Sequence, residues 1–159
     1  MAKTLTISLI CLILIGFTKQ SNGQSISDQQ KSVIEKQVDS VFYSSIKAAE
    51  NLDYDKLAKG VDDKYKSGFI INDAYYIRFD SLINILKNRS QGVTNQKITI
   101  QKDKITVLSN SIVLLTASGE TTFDTSSGNL ITTKFYWSFV YENINKNWKV
   151  IQSHQSSYR

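Results

Sequence analysis

His154 is the single histidine in 159 residues, and histidine is the residue type most used for acid–base chemistry near neutral pH. To act as a general acid or base it needs a substrate proton within hydrogen-bond reach and a carboxylate to orient it. Glu50, Asp73 and Asp80 are the candidate acids. His154 lies in the segment Trp148-Lys149-Val150-Ile151-Gln152-Ser153-His154-Gln155-Ser156. A period of two puts Trp148, Val150, Gln152, His154 and Ser156 on one face of a strand. If Trp148 and Val150 mark the core face, Gln152 and His154 lie on it too. A polar pair at the end of a core face lines a cavity, because burying it dry is costly.

Other chemistry is thinner. Arg78 could hold a carboxylate through both arms of its guanidinium at a pocket mouth, beside Tyr75 and Tyr76. Asp53 and Asp55 resemble a carboxylate pair, yet helix capping explains them. With one histidine, and its one cysteine early in the chain, the sequence offers no zinc ligand set, and no metal or cofactor is expected. No glycine-rich loop is placed to hold phosphates and no serine-centred elbow occurs. Asn88-Arg89-Ser90 fits a glycosylation triplet, a pattern common by chance.

These residues need elements to hold them. From Ser32, Ile34, Val38, Val41, Phe42 and Ile46 recur on one helical face as far as Ala49, with Asp28 or Ser32 as cap. Asp53 caps a second, short helix that Gly60 ends. A hairpin follows, Tyr65 to Ile71 and Ala74 to Arg78, turning at Asn72-Asp73. Asp80 caps a third helix carrying Leu82, Ile83, Ile85 and Leu86. The remainder reads as four strands: 97–108, 112–123, 130–141 and 148–157. Ile131, Phe135, Trp137, Phe139 and Tyr141 share an apolar face in the third of them, opposite Thr132, Lys134, Tyr136, Ser138 and Val140. Val113, Leu115, Ala117 and Phe123 form the matching face of the second. The opposite face is mixed, as in a sheet that meets another subunit or one whose threonines face solvent.

The W-K-V-x-x-x-H-x-S ending, the D-Y-D-K-L element after the first helix, and the order helix, helix, hairpin, helix, four strands resemble the nuclear transport factor 2-like superfamily, especially its SnoaL-like and uncharacterised secreted branches. The likeness spans about Val33 to Ser156. It implies an α+β cone: a curved antiparallel sheet wrapped around a long N-terminal helix, a pocket at the open end, and a homodimer through the outer sheet face. The expected ligand pocket is Phe42, Arg78, Trp137, Phe139, Gln152 and His154. Ketosteroid isomerases of this superfamily use a helix-one tyrosine and a hairpin aspartate, positions that hold Ser45 and Phe69 here, with Tyr43 two residues away on another helical face. SnoaL-type cyclases need a histidine and an aspartate facing across the cavity; His154 fits the first role, and no aspartate is assigned to the second. Fold likeness alone does not fix an activity.

The N-terminus reads as an export signal. Lys3 gives a positive start, Leu5 to Phe17 is apolar, and Ser21 and Gly23 suit cleavage before Gln24. The apolar run is roughly 20 Å long as a helix, short of a bilayer core. Cys11 lies inside the run after Ile10, which does not suit lipidation, and it leaves with the signal. The expected organisation is a signal peptide at 1–23, a flexible lead-in at 24–31 and one domain at 32–159, placed outside the cytoplasm in periplasm or medium and free of the membrane after cleavage. The net charge of +5 falls by two with Lys3 and Lys19, and the remaining lysines form no basic stripe for nucleic acid. The expected function is binding of a small apolar or aromatic ligand. The alternatives are a dehydratase, isomerase or cyclase using His154, and a dimerisation module.

Overall fold

The computed structural model describes residues 26–158, so the expected signal peptide, with residues 24 and 25 of the lead-in, lies outside the described residues. Three helices, α1 (Asp28–Glu50), α2 (Tyr54–Lys59) and α3 (Phe79–Arg89), combine with six strands. These are β1 (Phe69–Ile71), β2 (Ala74–Tyr76), β3 (Val93–Val107), β4 (Ile112–Thr125), β5 (Leu130–Ile144) and β6 (Asn147–Tyr158). Their order across the sheet is β2-β1-β6-β5-β4-β3. The four long strands are antiparallel as expected, but β1 runs parallel to β6. The sheet is therefore mixed rather than wholly antiparallel.

The first helix starts at Asp28, inside the expected lead-in. Ser27 and Gln30 form a reciprocal capping box: Ser27 Oγ accepts from Gln30 N–H at 3.2 Å, and Gln30 Oε1 accepts from Ser27 N–H at 3.1 Å. Polar side chains, not apolar periodicity, set that start. Ile34, Val38, Phe42 and Ile46 follow at every fourth residue and are all buried. That stripe lies in the concavity of the sheet, where Phe42 meets Phe139 with ring centroids 6.0 Å apart. Polar clasps fix the helix against the sheet. Trp148 Nε1–H donates to Gln37 at 3.0 Å, and Glu50 accepts from the Ile98 N–H at 3.1 Å.

Third-helix capping differs from expectation. Arg78 is the N-cap and supplies no side-chain bond; instead Asp63, from the loop after α2, accepts from Phe79 N–H at 3.1 Å. Asp80 sits in the first turn, where a carboxylate still favours the helix dipole.

The sheet bends at irregularities in its register. Shifts occur between Val93 and Asn95 and between Ile100 and Lys102 in β3. A third lies where Val140 pairs with Gln152 but Tyr141 pairs with Val150. Ile151 is thus an extra residue in β6, a β-bulge. Beside the second shift, Gly119 faces Phe135 across β4 and β5. A Cβ at Gly119 would fall on the Thr99 carbonyl and against the Phe135 ring, so only glycine lets β3 close in there. The result is a long helix in a curved, unclosed sheet: an α+β cone.

Candidate functional site

The concave face encloses a cavity of about 650 Å³. Its main wall is β5, whose alternate residues Ile131, Thr133, Phe135, Trp137, Phe139 and Tyr141 all face inward. The cross-strand register explains their company: Trp137 lies between Ala117 and Gln155, and Phe139 between Leu115 and Ser153. Phe135 and Trp137 stack with centroids 3.7 Å apart. Helix α1 supplies Phe42, Ser45, Ile46 and Ala49 from the opposite side. The rim is polar and largely exposed, built by Arg89 to Gly92 at the end of α3 and by Ser126 and Ser127 between β4 and β5. Ser126 N–H donates to the Gly92 carbonyl at 2.8 Å and ties these two rim segments together.

The expected pocket residues divide. Phe42, Trp137 and Phe139 line the cavity. Gln152 and His154 do not, and the bulge is the reason. One extra residue at Ile151 reverses the alternation beyond it, as any one-residue slip does. Ser153 and Gln155 therefore take the inner face, Ser153 being 1% exposed, while Gln152 and His154 point outward. His154 is exposed in a shallow depression on the outer face, with Lys102 and Lys104 of β3, Thr116 and Ser118 of β4, and Tyr136 and Ser138 of β5.

Arg78 is also absent from the cavity wall. Its guanidinium holds the Asp80 carboxylate two residues on, with Nε and Nη2 3.2 and 3.0 Å from Oδ2. That partner holds the Asp80 carboxyl below the usual carboxylate range. The bidentate grip expected of Arg78 exists, but its target is internal. The other candidate acids are placed elsewhere: Glu50 bonds Ile98 and pairs with Lys47 at 3.5 Å, and Asp73 sits exposed in the β1–β2 turn.

Sequence reasoning missed several wall residues. Ser153 and Gln155 were hidden by the bulge; Gln155 Nε2–H donates to Ser153 Oγ at 3.3 Å. Gln96 lines the cavity and donates to the Ala49 carbonyl at 3.2 Å. Tyr54 reaches it from α2, donating to the Leu86 carbonyl at 3.4 Å. Arg89 is the one charged side chain in the wall; Asp, Glu, Lys and His are all lacking there among the described residues. Burial pushes the Tyr141 hydroxyl far above its ordinary range, so at neutral pH it is a hydrogen-bond donor and not a base. Among the described residues, no group of three or more His, Cys, Asp or Glu side chains is placed to hold a metal ion.

Comparison with solved structures agrees with this architecture. A putative scytalone dehydratase from Novosphingobium aromaticivorans superposes with a TM-score of 0.73 at 7% identity, covering 84% of this chain and 89% of that one. A nuclear transport factor 2-like superfamily protein from Salmonella enterica gives 0.71 at 12% identity, over 81% and 94% of the two chains. A hexachlorocyclohexane dehydrochlorinase from Novosphingobium barchaimii gives 0.70 at 12% identity, over 84% and 92%. No family model and no curated protein matches the sequence. The chain has the nuclear transport factor 2-like fold. At these identities the likeness defines the fold, and the site must be argued from its own residues.

Proposed function

We propose that this is a small-molecule binding protein whose ligand is apolar or aromatic and sits in the cavity between α1 and the sheet. The observation that carries the reading is the wall itself: about 650 Å³ faced by Phe42, Phe135, Trp137 and Phe139, without a carboxylate or an imidazole among the described residues. That volume lies within the usual range for small-ligand sites, which are apolar with a few placed polar groups. Flat rings suit such a wall because aromatic faces stack or meet edge to face. Titrating the 24–159 chain with the neutral fluorescent probe N-phenyl-1-naphthylamine tests the proposal. Saturable enhancement, abolished by the cavity-filling variant Ala49→Trp, is expected. Enhancement that survives the filling, or no binding at all, would sink it.

The dehydratase and dehydrochlorinase names among the structural neighbours favour an enzymic alternative. His154 could not serve it from the outer face, and Tyr141 would act there only as a hydrogen-bond donor. A homodimer through the outer face is part of the same proposal, motivated by the exposed, stacked rings of Tyr136 and Tyr158, 5.9 Å apart. Light scattering should give a dimer that Tyr136→Lys weakens, and a monomer at micromolar concentration would remove this element. Export rests on the 1–23 segment, and a secreted product starting at Gln24 by mass spectrometry is the expected result.

A further inference from the structure

Tyr141 carries an unmet demand. It is 1% exposed, among the largest side chains so fully buried, and its ring forms part of the cavity wall. Tyr54 bonds Leu86, Tyr65 bonds Glu142 at 2.9 Å, and Tyr136 and Tyr158 bond each other at 3.3 Å, while the unbonded Tyr43 and Tyr76 are not fully buried as Tyr141 is. Tyr141 Oη has no hydrogen-bond partner among the described residues. Its neighbours in the sheet register are Val113 on one side and Val150 on the other, which offer it no polar side chain. Ser45, on the facing helix, spends its hydroxyl on the Val41 carbonyl at 3.0 Å. Among the described residues, Glu142 Oε2 is the side-chain polar atom both sealed and without a hydrogen bond. Tyr141 Oη is unbonded too but not sealed, and the space its ring adjoins is the cavity.

A buried hydroxyl without a partner is uncommon and unfavourable, and such groups in native proteins usually meet a ligand or a bound water. We infer that the Tyr141 hydroxyl is the cavity's polar anchor, donating to an uncharged acceptor such as a carbonyl on an otherwise flat, apolar ligand. The inference rests on the cavity being a binding site and deepens that reading by naming the ligand class. An anionic acceptor is disfavoured there. The wall's one cation, Arg89, is on the exposed rim, and a charge buried beside Val113 and Val150 would stand uncompensated.

The test uses two planar molecules of nearly one shape, 9-fluorenone and fluorene, which differ by a carbonyl. Each displaces N-phenyl-1-naphthylamine from the 24–159 chain, from Tyr141→Phe and from the filled Ala49→Trp. Fluorenone is expected to bind about tenfold more tightly than fluorene to the natural chain, as one buried hydrogen bond implies. In Tyr141→Phe that preference should vanish while fluorene affinity is unchanged. Removing an unsatisfied hydroxyl should also leave the melting temperature equal or higher. Equal affinities in the natural chain, a preference that persists in Tyr141→Phe, or a lowered melting temperature would each overturn the role given to Tyr141. Failure of both molecules to displace the probe, or displacement unaffected by Ala49→Trp, would instead overturn the cavity reading beneath it.

Discussion

The two faces of the sheet hold different chemistry. The cavity on the inner side is walled by Phe135, Trp137, Phe139 and Tyr141 with hydroxyls and amides, and among the described residues its only charged side chain is Arg89 at the rim. The outer face holds His154, Lys102 and Lys104, with exposed Tyr136, while Asp103 turns to the helix side near Tyr43. The imidazole therefore lies on the side without an enclosed space. The enclosed space has walls suited to holding a molecule and lacks an obvious base. This separation, more than any single residue, favours binding over catalysis.

Deleting Ile151 attacks the separation most directly. Without the bulge, either His154 and Gln152 turn inward or the pairing to β1 and β5 slips. Each outcome puts polar groups against Phe139 or breaks the Phe69–Ser153 register. Loss of cooperative unfolding is expected, an effect on the scale of the whole domain's stability, about 5 kcal/mol or more. Urea denaturation followed by tryptophan fluorescence would measure it, and a near-native midpoint would show that the bulge is dispensable. Gly119→Ala should come next, at about 3 kcal/mol, because the added methyl meets backbone on one side and Phe135 on the other. The same denaturation series reads that change; a shift under about 1 kcal/mol would mean β3 can move away.

His154→Ala sharpens the contrast from the other side. Probe affinity should stay within about twofold and stability within about 0.5 kcal/mol, as for an exposed position. A tenfold loss in the displacement titration would put the imidazole in communication with the cavity and break the division of the faces. The smallest effect concerns Arg78 and Asp80. The Asp80 pKa is lowered in the folded chain, so the pair's contribution is present above about pH 4 and is lost as pH falls through the folded value. Asp80→Asn should lower the melting temperature slightly at pH 7 and not at pH 2.5, with ligand affinity unchanged. An equal loss at both pH values would mean that the charge of Asp80 plays no part.

How far the sequence carried this picture depended on whether a signal was local. β4 and β5 were legible because most of their inner positions are apolar, with Val113, Leu115, Phe135, Trp137, Phe139 and Tyr141 at alternate places, so their phase could be read. β6 was not. After Ile151 its residues Gln152, Ser153, His154, Gln155 and Ser156 are all polar, and hydropathy cannot say which of them point inward. The adjacent pair Val150-Ile151 was the only local trace of a break in phase. Asp63 as the cap of α3 was hidden for a related reason, since the acceptor comes from 16 residues away. Arg78 and Asp80, two residues apart, could have been paired from sequence, and would then have taken Arg78 out of the pocket.

The place of β6 has a further consequence, for the time course of folding. It is the last strand along the chain, yet in the sheet it lies between β1 and β5. The β1–β2 hairpin is too short to persist alone and cannot join the sheet until β6 is in place. Docking it requires contacts across more than 80 residues, such as the bond from Ser157 N–H to Asn72 Oδ1. Such contacts favour slow assembly, with the loop cost met before the reward. A growing chain would thus hold β3, β4 and β5 ready while the other half of its final sheet waits for β6 to emerge.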